Sequence, residues 1–452
     1  MNLAETVQRS AHVLPRFPGE KPLLLTRGRG SHVWDDQQRR YFDAVSGAMV
    51  VNLGYGNERL LAALVGQLEQ LSYAHNGRFT SEATEALAER LAQRVGGRYR
   101  AYFCSSGSET IEAALRICHV YHAALGRSRP GVVAGRRSYH GASLGALWAT
   151  GIERVRRPFA ELVGSAIYVD ECGCPKAGAG DCRDACVARF AHALDTHPEA
   201  GVLLVESMSA NALGAVLPPA NFLGAVAKAV RDRGRLLVLD EIATSIGRTG
   251  RDFAFQHTDA TEPDLICLSK GLGVGYVNLG AVLIHERVAE VVVDSGVPLL
   301  GHTYNGHPGA CAVGLEVLAI LDEDGLVQRA AVAGRPVRER LRRLCRLPWV
   351  KDVRGKGLMI AIELARGEEP FAPSERIAVR THRALLEEGL ITLPGSGSVD
   401  GIRGDHVFLA PPLVASDADL DAMVEILEGF FGEFDRRFPS ALEETLTVGT
   451  TT

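Results

Sequence analysis

A chain of 452 residues is longer than one simple core organises, which sets the expectation of one large and one smaller domain. Hydrophobic residues make up 46% and charged residues 23%, an ordinary globular balance that argues against long disorder. The formal net charge of −5 leaves no basic footprint for nucleic acid, and no apolar run reaches membrane-spanning length.

The opening stretch, MNLAETVQRSAHVLPRFPGEKP, lacks the apolar centre of a secretory signal, and nine scattered cysteines suit reduced thiols. A cytoplasmic location is the expectation. The motif GSHVWDDQQRRYFDAVSG reads as a hairpin, so residues 1–60 are expected to pack with the smaller domain. From residue 61 to 315 short apolar runs alternate with helical stretches. AYFCSS, GVVAG, SAIYVD, GVLLVES, RLLVLDE, DLICLSK and LGAVLIH read as buried strands, because they are continuous rather than alternating. Helical segments such as ETIEAALRICHVYHAAL and FLGAVAKAVRDRG lie between several of them. The pattern predicts an α/β domain on a mostly parallel seven-stranded sheet. Within it, Cys172, Cys174, Cys182 and Cys186 crowd one Gly-rich stretch. Their spacing lacks the paired CxxC knuckles of zinc sites, so free thiols and no metal are expected. From 316 to 452 the text changes. A long helical pattern runs through ACAVGLEVLAILDEDGLVQRA towards RPVRERLRRLCRL. Strand-like GLMIAIEL, LITLPGS and DHVFLAPPL follow, then an amphipathic helix, DADLDAMVEILEGFFGEFDRRF. This predicts a small α+β domain.

Ligands of open α/β sheets bind beyond the carboxyl ends of the strands, so the residues after each strand carry the chemistry. Ser105-Ser106-Gly107-Ser108-Glu109 leads from a strand into a helix, where free N–H groups suit an anion; the same residues are also common capping chemistry. Tyr139, His140 and Gly141 follow GVVAGRRS, and an aromatic there can lie on a planar ligand or simply fill the core. Asp240-Glu241 ends an apolar strand, a costly place for an acid without a cation or donors. A Walker-B-like magnesium role fails, because no GxxxxGK[ST] loop exists. Only six of the 49 basic residues are lysines, and Lys270 alone follows a buried strand between Ser and Gly. Desolvation lowers a lysine's pKa and frees the amine for attack on a carbonyl.

Taken in order, SSGSET, SYHG, VES, LDEIATSIGRTG, LSKGLGVGYVNLGAV, GHTYNGHPGACA, VRGKGLM and APPL resemble the class III (omega-type) aminotransferases, fold-type-I enzymes of pyridoxal 5'-phosphate (PLP). The resemblance covers nearly the whole chain. It implies that Lys270 is the Schiff-base lysine and Asp240 the acid paired with the pyridine nitrogen. Ser106, Gly107 and Ser108 match the phosphate cup. Tyr139, next to His140, matches the aromatic on one ring face, and Ile242 the apolar residue on the other. Glu206 stands where the family often has an acid near the cofactor. Thr303 resembles a threonine that reaches the phosphate from the neighbouring subunit, which implies a homodimer with a shared site. Arg354 lies where several relatives bind a substrate carboxylate, and Arg403 is a second candidate. Three stretches depart from the pattern: Ser245-Ile246 for Gly-Phe, Asn278 for proline, and Ser207 for proline. They leave the lysine and the aspartate untouched.

The implied reaction moves an amino group between an amino acid or amine and a keto acid or aldehyde. The three departures keep a second reading open: a racemase, epimerase or carbon–carbon bond-forming enzyme that uses the same carbanion without net transamination. An inert homologue serving as a binding module is a third, and retention of both Lys270 and Asp240 speaks against it.

Overall fold

The computed structural model describes residues 12–14, 16, 22–171, 180–258 and 261–438. The first three strands, β1 (Leu25–Arg29), β2 (His32–Asp35) and β3 (Arg40–Asp43), form an antiparallel meander, so the expected hairpin is β2–β3. β1 was not legible, because its residues, LTRGR, are mostly exposed and carry no apolar run.

The seven apolar runs become β4 (Tyr99–Cys104), β5 (Gly131–Gly135), β6 (Ile167–Val169), β7 (Ala200–Glu206), β8 (Leu236–Asp240), β9 (Leu265–Leu268) and β10 (Gly280–His285). They make one sheet in the order β4-β10-β9-β8-β7-β5-β6. β10 pairs antiparallel with β4 and β9, and the remaining pairs are parallel. Continuous apolar sequence is needed because both faces are covered. Val202, Leu204, Leu236 and Val238 pack on one side with Ile111, Ala114, Ile117 and Cys118 of the helix Gly107–Ala124. Leu203, Val205, Leu237 and Leu239 turn to the other core, against Phe222, Leu223 and Val226 of the helix Phe222–Asp232. The two-residue period of each strand thus feeds two cores at once.

The last part builds a four-stranded antiparallel sheet from β11 (Val350–Lys356), β12 (Met359–Leu364), β14 (Leu393–Ser396) and β15 (Asp405–Leu409), in the order β11-β12-β15-β14. The short β13 (Leu390–Ile391) leaves that sheet to pair in parallel with β3, joining the two ends of the chain. β11 was missed in the sequence because VKDVRGK alternates charge with little apolar content. The long helical pattern after Gly309 is two helices, Pro308–Glu323 and Leu326–Arg342. Between them Gly325 adopts a left-handed φ of 61°, which ends one helix and starts the next. No helix among the described residues is long and apolar enough to cross a membrane.

Candidate active site

Parallel register sets the centre of the site. Glu206 pairs with Asp240 across β7 and β8, and Asp240 pairs with Cys267 across β8 and β9. Three strand ends therefore deliver Glu206, Asp240 and, just beyond Leu268, Lys270 to one edge of the sheet. The turn that carries the lysine is tight: Lys270 has a left-handed φ of 38°, a conformation that costs a non-glycine residue about 1–3 kcal/mol. Ser269 Oγ donates to the Leu279 carbonyl at 2.9 Å and fixes one side of the turn. Gly271 fits only without a side chain, since a Cβ would lie 2.4 Å from Asn52 Nδ2.

Burial lowers the pKa of Lys270, with the nearby charges of Asp240 and Glu206 pulling the other way. The same burial, reinforced by Asp240, pushes the Glu206 carboxyl well up. A buried lysine whose pKa is lowered is the better nucleophile and base for it. Asp240 is held from two sides: Ile242 N–H donates to Oδ1 at 3.0 Å, and His140 Nδ1 lies 2.8 Å from Oδ2. His140 is fully buried, and among the described residues its Nε2 has no partner, so the Nδ1–H tautomer facing the carboxylate fits the surroundings. Thr150 Oγ1 accepts the His140 N–H at 2.9 Å and locks the loop behind it.

The anion pole lies alongside. Ser106 caps the helix Gly107–Ala124 by accepting the Glu109 N–H at 3.3 Å, which leaves the N–H groups of Gly107 and Ser108 at the open end. Thr110 Oγ1 reaches both the Ser106 carbonyl, at 2.8 Å, and the Leu268 carbonyl, at 3.3 Å, so the helix start is tied to the strand that leads to Lys270. Ser108 Oγ accepts the Ala142 N–H at 3.1 Å. A Cβ on Gly107 would come within 3.1 Å of Ile242, so the space between helix end and Ile242 exists because residue 107 has no side chain. Tyr139 is 38% exposed, leaving its ring a free surface. A buried acid, a desolvated amine, a helix end and a glycine-made gap are a donor set that fits PLP.

Other expected residues fare differently. Thr303 sits on an exposed loop, where its carbonyl accepts from Tyr73 Oη at 2.9 Å; it makes no described contact with the Lys270 cluster. Arg354 is committed elsewhere. Nε donates to the Gly214 carbonyl at 2.6 Å, Nη2 to the Leu213 carbonyl at 2.8 Å, and Nη1 meets both Asp352 and Glu363. With four of its five N–H groups used, the geometry argues against the expected carboxylate clamp. Arg403 is half exposed and paired with Asp400 at 2.7 Å. Of the departures, Ser207, Ser245 and Ile246 are buried, whereas Asn278 is exposed. Cys172 and Cys174 lie outside the described residues, as does the side chain of Cys182; Cys186 is buried, with Arg189 3.0 Å from its sulfur. Sequence reading missed Asn52 and Arg248. Arg248 is fully buried, and it binds Asn52, Ser46 and the carbonyls of Leu358 and Pro411. Its place in the quoted IGRTG was the one available clue.

Comparison with known proteins decides the family. The model of the class-III aminotransferases matches residues 17–431. The chain is a class-III aminotransferase. It is 36% identical to an acetylornithine aminotransferase of Mycobacterium bovis, over 93% of this chain and 94% of that protein. Among solved structures, the aminotransferase superposes on an amine transaminase from an uncultivated Pseudomonas species, crystallised with PLP bound. The TM-score is 0.86 at 28% identity, covering 94% of this chain and 98% of the other. An (S)-enantioselective omega-transaminase from Thermomicrobium roseum gives 0.83 at 31% identity, covering 92% and 94%. The enzyme's cofactor is accordingly PLP.

Proposed function

We propose that Lys270 carries PLP as a Schiff base and that Asp240 pairs with its ring nitrogen, in a reaction that passes an amino group from an amino acid or amine to a keto acid or aldehyde. The reading is supported above all by three adjacent strands ending in Glu206, Asp240 and the Lys270 turn, beside an open helix end. Bound there, PLP supplies an electron sink for the pair released when the substrate Cα–H bond breaks. The Lys270 amine, whose pKa burial lowers, would take that proton and hand it on. Asp240 would hold a proton at the ring nitrogen, and His140 and the Ile242 N–H fix the carboxylate's direction. Gly107 and Ser108 would offer N–H groups to the phosphate, with Ser106 ordering the turn, and Tyr139 and Ile242 would flank the ring. Lys270→Ala should lower turnover by roughly 10²–10⁴-fold, measured with cofactor in excess; wild-type turnover would remove the assignment. Release of a keto product with the cofactor left in its amino form marks transamination, whereas solvent deuterium at Cα with the amine retained marks a racemase.

The same reading gives a homodimer in which Thr303 reaches the partner's phosphate. Exposed apolar side chains, among them Leu61, Val65, Phe79, Leu300 and Tyr304, support it. A surface of this kind on a lone chain marks an interaction site. Sedimentation at micromolar concentration should return a dimer, and a monomer with full activity would end the proposal. Residues 61–315 are assigned to the cofactor-holding unit, with 1–60 packing on 316–452; the β3–β13 pair and Ser46 Oγ on the Ala410 carbonyl at 2.7 Å support that division, which limited proteolysis tests. Cys104, Cys118, Cys267, Cys311 and Cys345, free thiols, fit a reducing cytoplasm, to be checked by cell fractionation.

A further inference from the structure

The helix Leu326–Arg342 carries arginines on two sides, and only one side is neutralised. Towards the helix Asp417–Gly432, Arg329 meets Asp417 at 2.9 Å and Arg340 meets Asp421 at 2.8 Å. On the other side Arg335, Arg338 and Arg342 follow one another at steps of three and four residues, so they share one face. Arg338 Nη1 donates to the Gly357 carbonyl at 3.1 Å, and Arg342 Nε to the Val353 carbonyl at 3.2 Å. That face therefore lies along the end of β11, beside Lys356.

Backbone packing brings in a third segment. A Cβ on Gly334 would strike the Gly357 carbonyl, one on Gly357 would strike Thr249, and one on Gly250 would lie 2.7 Å from Ala331 Cβ. The helix, the Lys356 turn and the stretch through Thr249 and Gly250 touch with no side chain between them, and Arg251 comes next in the chain. His257 Nε2 lies 3.1 Å from the Thr249 carbonyl at the same junction. Five cations, Arg251, Arg335, Arg338, Arg342 and Lys356, thus share one patch. Among the described residues none of the five has a salt bridge; Arg338 and Arg342 bond only to carbonyls. The acids beside them in the chain are engaged or exposed: Asp252 with Arg94, Asp352 with Arg354, and Glu339 at the surface.

The charges feel one another. Burial, then Arg338, Arg251 and Arg335, lower the pKa of Lys356. Burial, then Arg342 and Arg335, lower that of Arg338, and Glu339 offsets part of this. Like charges held together are unfavourable, and the glycine contacts keep these from separating. An anion that bridges them removes the repulsion. Arg335 to Arg342 spans roughly 10 Å of helix axis, and Arg338 and Lys356 sit half-buried at the floor. So short a patch matches an anion that packs several charges on few atoms. We infer that it binds the oligophosphate chain of a nucleotide or of inorganic polyphosphate, at a site that shares no residue with the Lys270 cluster.

The test is calorimetric titration of the PLP-loaded enzyme at fixed ionic strength with tripolyphosphate, ATP and orthophosphate. Tripolyphosphate should bind one-to-one, and orthophosphate roughly tenfold more weakly or worse. ATP binding tighter than tripolyphosphate assigns the site to a nucleotide; equal binding assigns it to the phosphate chain alone. Arg335→Gln and Lys356→Gln should each weaken tripolyphosphate about tenfold, the loss of one charge-assisted contact. Lys228→Gln, which removes an exposed lysine paired with Asp232 at 2.6 Å, should leave the affinity unchanged. Without anion and at low salt, Arg335→Gln should melt at or above wild type, because it relieves repulsion; an arginine with a merely structural role would melt lower. Absence of saturable binding, wild-type affinity in both patch variants, or equal weakening in Lys228→Gln overturns the inference.

Discussion

Asp240 is a buried carboxylate that accepts from a backbone N–H and faces a buried imidazole. Replacing it by Asn preserves the shape and the Ile242 contact but removes the charge that would keep a ring nitrogen protonated. Asp240→Asn should lower kcat by roughly 10²–10³-fold at saturating PLP, the scale of one preorganised electrostatic contact. Turnover within threefold of wild type (about 0.6 kcal/mol) would remove the electron-sink argument. That Lys270 and Asp240 stand at neighbouring strand ends was legible, because a lone lysine behind an apolar strand, and an acid ending one, are each expensive without a purpose. Arg354 was not legible. In sequence, a strand arginine reads alike whether it faces substrate or is consumed by Asp352, Glu363 and two carbonyls.

The helix Gly107–Ala124 does two jobs: it buries Ile111, Ala114 and Ile117 against the sheet and opens its positive end beside Lys270. Gly107 serves the second job only. Gly107→Ala should weaken PLP binding about tenfold by crowding Ile242, while the apo enzyme's melting temperature holds, because alanine favours a helix more than glycine. Cofactor titration and apo melting curves separate the two effects; unchanged affinity would mean the gap has no bearing on the cofactor. The seven strands of the large sheet were legible because continuous apolar runs have few other uses. β1 and β11 were not, since edge position and register with β2 and β12, rather than apolar content, make them strands.

Across the whole molecule, buried polar groups tie distant segments together and leave a pH dependence. Arg248 joins Ser46 and Asn52 to Leu358 and Pro411, and burial lowers its pKa to about 9. Asp405, buried in β15, is pushed up to about 6, chiefly by burial; the Ala378 N–H at 3.3 Å offsets part of this, and Glu375 adds to it. The folded state therefore holds this proton more tightly than the unfolded chain. The associated stability is present below pH 4 and is lost as pH rises through about 6. Asp405→Asn should melt higher than wild type at pH 8, by an equivalent of about 1–3 kcal/mol, with the gap closing towards pH 4. Parallel melting curves at every pH would show that Asp405 ionises in the fold without cost.

By itself the sequence determined the elements and their chemistry: seven buried strands, a lysine and an acid at strand ends, small residues opening a helix. Those features follow from local patterns, because burial demands apolar runs and each reactive group follows its own strand. Only the tertiary structure decided which charges were spent. It held Arg354 on the Leu213 and Gly214 carbonyls and buried Arg248 against Ser46, Asn52, Leu358 and Pro411. Pairing between residues a hundred or more positions apart leaves no local trace, since it depends on strand order and register rather than on any neighbour along the chain.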